Sequence, residues 1–577
     1  MNPKNKLFLI FLAFYGIFAH AQLKEDNLSN PNNGTLSGHD QERIIYYGAT
    51  PSNWNGKTIV FTHGYNGTNA TFIDNNALIY KSAFNNGYKT VFITTTKGES
   101  METNAALFAE GLEQVKAKLG TSKFYMAAYS NGGKSIDLAL SIYGKNDMAI
   151  KVATLGTPLK GTQIANAGQW PGISWVASTS YPNAGMETST TYYMENVRNI
   201  VDNHPNNDPS KFYHIGHIGY NILSNNGFTS YLQNLATGNI IKAMGGGNND
   251  GTTPYYSHYK TGGHIVLQDG EGKRNHSNLP NDEYSWNKIL EIFGGDPSYP
   301  IANKSAEKAD SQSAAEFSDY QLVYNDKPQL IIKKDEEKYE LVSIKEKIQS
   351  PRDTLSQTNT YKKGVYIAPA TQEKYLNIYK STENTGFLLE RDAINERLII
   401  KDIQGADLKN SIIQAGAYMI SKKSDADYTK QKQLPVSFKY DSGTQSYIAS
   451  LKDFRDGIYT MNIHIENDRY ARDLISGFVM GKISFPPLHS TISNETKPSS
   501  RDIAIVNNVL LNTAYVLIQE PISTPVDLSI YDTSGRQVFK NTYTGNSGSI
   551  ELPSLQKGMY IVNVSFNSKN ASLKYLK

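Results

Sequence analysis

From residue 42 to residue 293 the chain alternates short apolar runs with helical patterns. This alternation constrains the fold more than any other feature. The runs are "RIIYYG" (43–48), "TIVFTHG" (58–64), "TVFITTT" (90–96), "KFYMAAYS" (123–130), "IKVATLGT" (150–157) and "KFYHIG" (211–216). Each is rich in β-branched or aromatic residues, and helical patterns over 74–86, 102–119 and 131–144 lie between them. Strands that alternate with helices build a mostly parallel sheet covered on both faces, an α/β architecture. The helix after Ser130, "NGGKSIDLALSIYG", is apolar nearly all round, which predicts that it packs buried against that sheet.

With 577 residues the chain is too long for one core, and its character changes near residue 300. A polar, small-residue stretch, "NKSAEKADSQSAAEFSD", reads as a linker over 301–318. Alternating runs such as "QLIIKK", "RLIIKDI" and "YTMNIHI" then predict a β-rich region over 319–489, one or two sandwiches. A second polar stretch (490–502) precedes a last small β-sandwich over 497–577. Residues 22–300 form the predicted catalytic domain, and the polar linker leads us to expect few contacts across it.

The first residues pair Lys4 and Lys6 with an apolar run from Leu7 to Phe18 and a small-x-small site, Ala19-His20-Ala21. This is the pattern of a signal peptide over 1–21, and no later apolar run is long enough for a transmembrane helix. The chain contains no cysteine, which excludes disulfides, thiolate-held zinc and a cysteine nucleophile. A net charge of +3 and the lack of a basic stripe give no reason to expect nucleic acid as a partner.

Chemistry concentrates around Ser130. It ends an apolar run and opens the buried helix, with Ala128 and Gly132 two residues to either side. Small residues at those positions permit the tight strand-to-helix turn that presents a serine as a nucleophile. Acyl transfer also needs two backbone N–H donors for the developing oxyanion. Asn131, at the positive end of the helix, supplies one. Tyr65, in the loop of "VFTHGYNG", is expected to supply the other, with Gly64 allowing close approach. His63 in that loop is expected to hold the loop rather than act as the base. Asp250 in "GGNNDGTTP" and His276 in "KRNHSNLP" complete the order serine, aspartate, histidine, each beyond a strand. A neutral imidazole takes the serine proton, and the carboxylate fixes its tautomer.

Rivals remain for two of these roles. His264 begins its strand, on the wrong edge of a parallel sheet. His258 stands only eight residues from Asp250. Asp269 competes with Asp250. His214 and His217 have a metal-like spacing without accompanying carboxylates, so packed histidines are the expected reading, with no metal and no cofactor.

On these residues the stretch 42–293 resembles the α/β-hydrolases, and among them the secreted bacterial lipases. The resemblance rests on His63-Gly64 after a strand, "AYSNGG" at the turn, "TLGTPLKGT" (154–162) and "NDG" before "NHSNL". Leu159 stands where many such lipases carry a histidine. The resemblance implies an α/β-hydrolase sheet with a helical cap. It also implies a serine carboxylic-ester hydrolase, a lipase first, with Ser130, Asp250 and His276 catalytic and Tyr65 and Asn131 as the oxyanion hole. A phospholipase, polyester depolymerase or polysaccharide esterase would use the same residues, and an inert surface-binding protein would leave them unused. The last residues, with "IYDTSGRQV", "LQKGMY" and a terminal "KYLK", resemble the C-terminal sorting domain of type IX secretion. That resemblance implies export across both membranes, the secretion machinery as a partner, and a secreted or cell-surface location.

More than ninety residues separate Gly156 from Asp250. Their first half carries Trp170, Trp175, Tyr181, Met186, Tyr192 and Tyr193. A cap over about 163–209 is expected to wall an acyl chain and to open at a lipid–water interface; the alternative is that these residues only pack a helical cap.

Overall fold

The computed structural model describes residues 23–169, 183–223 and 228–303 apart from 245. Beyond these it describes the strands between 320 and 378, residues 387–402, 408–420, 433–466 and 471–488, and the strands of 503–576 with adjoining turns. The segments expected to be the signal peptide (1–21) and most of the linker lie outside the described residues, as do Trp170, Trp175 and Tyr181.

The first part is one eight-stranded sheet. Its strands are β1 (Lys24–Asn27), β2 (Ile44–Tyr47), β3 (Thr58–Thr62), β4 (Lys89–Thr94), β5 (Phe124–Tyr129), β6 (Ala149–Leu155), β7 (Phe212–Ile215) and β8 (His264–Ile265). They run in the order β1-β2-β4-β3-β5-β6-β7-β8, and within this sheet only the β2–β4 pair is antiparallel. Helices α1 (Ala70–Ile73), α2 (Leu78–Asn85), α3 (Met101–Leu119), α4 (Gly132–Ser141), α5 (Gln163–Gln169), α6 (Ala184–Glu187), α7 (Thr191–Val201), α8 (Phe228–Ala243) and α9 (Glu283–Gly294) connect and follow the strands. Mostly parallel strands with crossover helices, in this order, make the α/β-hydrolase fold.

Strand period decides which residues meet which helix. Ile59, Phe61, Phe92 and Ala127 face α1, α2 and α9 through Phe72, Tyr80 and Trp286. The intervening Val60, Val91, Met126 and Ala128 face α3 and α4 through Phe108, Leu112 and Ile136. Helix α3 starts where the Ser100 side chain accepts from the Thr103 N–H and stops at Gly120, which adopts the left-handed conformation. All ten residues of α4 are buried, as its uniform apolar pattern predicts. Of the helix expected over 74–86 only Leu78–Asn85 forms, because Asn75 and Ala77 take positive φ just before it. The strand expected to begin at His264 contributes only two residues to the sheet.

The chain divides into two compact units, one of them Leu23–Leu488. Within that unit a sandwich follows the hydrolase part. One of its sheets comprises Phe387–Asp392, Arg397–Asp402, Lys439–Asp441 and Ser446–Ser450. The other comprises Ile412–Ile420, Leu434–Pro435, Gly457–Glu466 and Ala471–Met480. Leu398, Ile400, Met461, Ile463 and Phe478 fill the space between them. The sandwich also packs on the hydrolase part: Ile420, Ile458 and Val479 share a buried cluster with Met101, Leu138, Tyr192, Val197 and Val201. Arg391 donates to Asn196 Oδ1 at 2.9 Å, and the Tyr143 hydroxyl donates to the Pro486 carbonyl at 2.9 Å. The expectation that few contacts cross the polar stretch after residue 300 is therefore corrected. A surface helix with an apolar outer face, α7, needs a cover, and the sandwich is that cover. The second unit contains the C-terminal residues, where a three-stranded and a four-stranded sheet enclose Val516, Ile530, Ile550, Val562 and Val564.

Candidate active site

Ser130 lies between β5 and α4 with φ +53°, in the left-handed region that a residue with a Cβ rarely occupies. Its N–H donates to the Leu155 carbonyl at 2.8 Å, which fixes the turn to the neighbouring strand. The small residues around it are required by contact. A Cβ on Gly132 would stand 2.5 Å from the His63 carbonyl oxygen, so the helix could not seat against the end of β3. A Cβ on Gly64 would stand 2.7 Å from the Ser130 Cβ, so the loop after β3 presses directly on the serine.

The three side chains singled out in the sequence meet here. His276 Nε2 lies 3.0 Å from Ser130 Oγ, and His276 Nδ1 lies 2.7 Å from Asp250 Oδ2. The His276 N–H also donates to the Asp250 carbonyl at 2.8 Å, tying the two loops together. Tyr129 steadies the imidazole from below: its hydroxyl donates to the His276 carbonyl at 3.0 Å and its ring lies 5.0 Å from the imidazole. Asp250 is wholly buried, and its second oxygen accepts from the N–H groups of Thr252 and Thr253 at 2.9 and 2.7 Å. Burial alone would raise its carboxyl. The charge and hydrogen bond of His276, with help from His258 and the Thr253 N–H, outweigh that and hold it below the usual range.

The rivals are placed elsewhere. His264 stacks on Tyr213 at 4.4 Å and faces the Ser210 carbonyl. Asp269 accepts from Asn248 on the exposed side of the loop. His258 is buried 3.8 Å from Asp250 Oδ2, with its Nε2 directed at the His217 carbonyl. His214 bonds Thr154 and His217 bonds Ser285, so both are packed histidines. His63 holds the loop after β3: Nδ1 donates to the Gly64 carbonyl at 2.8 Å and Nε2 accepts from the Thr95 N–H at 3.1 Å. Burial lowers its imidazole to about 4.

Tyr65 and Asn131 flank the serine on the other side. Among the described residues neither of their N–H groups donates to a backbone carbonyl. A small open pocket adjoins them, lined near the serine by Gly64, Tyr65 and Asn131 and further along by Lys97, Glu99, Met101 and Asn104. Polar and apolar surface share its lining about equally.

The aromatic insertion does not supply the expected apolar wall through Tyr192 and Tyr193. Both are buried in the cluster shared with the sandwich, and the Tyr193 hydroxyl donates to Glu102 Oε1 at 2.6 Å. They pack the cap because the face of α7 that carries them is the one covered by the sandwich. What the sequence did not single out is the polar tether behind Tyr65 and Asn131. Asn183 reaches Tyr65, and Ser189, to which Lys134 also donates, reaches Asn131. No motif marks them, and two of them lie in the long stretch between Gly156 and Asp250.

Residues 511–577 match the family model described as a secretion system C-terminal sorting domain. This domain marks the chain for type IX secretion, to the cell surface or outside. No curated protein sequence matches the chain. Among solved structures, the lipase BlEst2 of Bacillus licheniformis in its mature form is 24% identical, covering 43% of this chain and 96% of that one with a TM-score of 0.38. The propeptide form of the same lipase is 15% identical and covers 92% of this chain and 96% of that one, with a TM-score of 0.39. The lin2722 gene product of Listeria innocua is 13% identical and covers 42% and 95%, with a TM-score of 0.27.

Proposed function

We propose that this chain is an exported serine carboxylic-ester hydrolase in which Ser130, His276 and Asp250 carry out acyl transfer. One observation supports the reading above all others: an unbroken hydrogen-bonded line from a serine hydroxyl through an imidazole to a buried carboxylate, at the end of a parallel strand. In the proposed mechanism Ser130 Oγ attacks the ester carbonyl while His276 Nε2 takes its proton. Asp250 holds the Nδ1–H tautomer and stabilises the imidazolium. The Tyr65 and Asn131 N–H groups receive the oxyanion. His276 then protonates the leaving alcohol, and a water deprotonated by the same imidazole releases the acid from the acyl-enzyme.

The domain scheme proposed with this function is a signal peptide over 1–21, a catalytic domain over 22–300, a linker over 301–318, an accessory β-rich region over 319–489 and the sorting domain over 497–577. Lipid esters are the first substrate class proposed, with a lipid–water interface as the place of action. The side chains of Lys97, Glu99 and Asn104 in the pocket beside Tyr65 and Asn131 favour a second reading, a short or hydroxylated acyl ester such as an acetylated polysaccharide.

The test is covalent labelling with a fluorophosphonate, followed by p-nitrophenyl esters of increasing acyl length. Labelling at Ser130 that disappears in Ser130→Ala supports the mechanism; an unlabelled chain refutes it. Rising kcat/KM toward octanoate supports a lipase, because each buried methylene contributes roughly 0.8 kcal/mol. A maximum at acetate supports the polar-ester reading.

A further inference from the structure

Both N–H groups assigned to the oxyanion belong to residues outside strands and helices, so something other than regular secondary structure must fix them. One short segment, residues 183–189, reaches both. At its start the Tyr65 hydroxyl donates to Asn183 Oδ1 at 3.0 Å, and the same Asn183 side chain accepts from the Met186 N–H to cap α6. Gly185 lies flat on the Tyr65 ring: a Cβ there would stand 2.9 Å from two ring carbons. At the segment's end Asn131 Nδ2 donates to Ser189 Oγ at 3.1 Å. Lys134, fully buried one turn along α4, donates to the same hydroxyl at 2.7 Å and to the Thr188 carbonyl at 3.3 Å. The Ser189 hydroxyl in turn donates a hydrogen bond to the Gly185 carbonyl at 2.7 Å, closing the segment on itself. Ser189 thus accepts twice and donates once, and every one of these groups is held within hydrogen-bond distance.

We propose that residues 183–189 form a brace that sets the oxyanion hole, with Asn183 and Ser189 as positioning residues. This rests on the function proposed above. Oxyanion stabilisation depends on donors held in place before charge develops, and a displacement of about 1 Å at such a site costs up to about a hundredfold in rate. Because the brace lies within the insertion expected to be the cap, it couples the cap's position to the hole: a shift of α6 moves both donors together. Lys134 and Asn131 link one end to α4, and Tyr65 links the other to the loop after β3.

The test uses the full chain and p-nitrophenyl butyrate. Ser189→Ala, Asn183→Ala and Tyr65→Phe are each expected to lower kcat about tenfold to a hundredfold with KM within about twofold. The affinity for a trifluoromethyl ketone, whose hemiketal oxygen occupies the hole, should fall in proportion to kcat/KM. Tyr65→Phe and Asn183→Ala remove two ends of one contact, so the double variant should be no slower than the worse single one. Asn183→Asp keeps the acceptor and should recover most of the loss. Should Ser189→Ala fail to fold, Tyr65→Phe and the Asn183 pair test the other end. Variants with wild-type kcat, or with raised KM and unchanged kcat, overturn the brace. If Ser130→Ala retains turnover and fluorophosphonate labelling, the functional reading itself fails, and the two failures are thereby told apart.

Discussion

Asp137 is expected to be the most sensitive ionisable residue of the elbow helix, and its replacement by asparagine is a demanding test of how that helix is held. Asp137 points away from the active site, into a pocket with two cations. Lys260 Nζ lies 2.6 Å from its Oδ1, and Arg198 from α7 bonds its Oδ2. Asp137 and Lys260 are wholly buried, and Arg198 is nearly so. Burial alone would raise the Asp137 carboxyl, but Arg198 and Lys260 overcome this and hold it at about 2, against an ordinary 3.8. That difference corresponds to about 2 kcal/mol of stability. The folded value is the lower one, so this stability is fully present above about pH 4 and is lost as pH falls toward about 2. Asparagine removes the carboxylate but leaves both cations buried. A buried pair broken on one side costs about 3–5 kcal/mol, and that is the loss expected at pH 7. Urea unfolding followed by the fluorescence of the buried Trp286 measures it. The gap between wild type and Asp137→Asn should shrink by about 2 kcal/mol between pH 4 and pH 2. At 25 °C and pH 7 the folded variant should keep its kcat within about twofold, because the triad braces α4 from behind and touches no reacting atom. A loss below about 1 kcal/mol, or a gap that does not depend on pH, refutes the reasoning.

Three further outcomes are expected. Asp250→Asn should lower kcat by about a hundredfold to ten-thousandfold in steady-state ester hydrolysis, since the wrong imidazole tautomer then faces Ser130. Burial pushes the Lys134 ammonium down to about 7, with Glu102 opposing and Arg198 assisting. The unfolded chain therefore binds more protons between about pH 7 and 10.5, and stability should rise with pH across that window by up to about 5 kcal/mol. The rise should be absent from Lys134→Met in urea titrations at several pH values. A chain ending at residue 303 uncovers Tyr192, Val197 and Val201, so its thermal midpoint should fall below that of residues 23–488 and it should bind a hydrophobic dye; an unchanged midpoint would mean that the sandwich contributes nothing to α7.

The local patterns of this sequence determine its sheet and its elbow. Period-two runs and helical periods are properties of neighbouring residues, so β3 to β7 and α3 are legible within a residue or two and α4 within three. The turn at Ser130 is legible for the same reason: small residues are needed within two positions of it, and they are visible there. Chain order and residue type likewise single out Ser130, Asp250 and His276 from eleven histidines and many carboxylates. Tertiary structure decided the rest. It set His276 rather than His258 against Ser130, although both lie near Asp250. It turned Tyr192 and Tyr193 toward the sandwich and away from the expected wall, and it joined the sandwich to α7 across the polar stretch. It placed Asn183 and Ser189 beside two loops more than fifty residues earlier in the chain. Contacts of this kind join residues dozens to hundreds of positions apart. They depend on which faces two finished elements present to each other, and no periodicity within a single element carries that information.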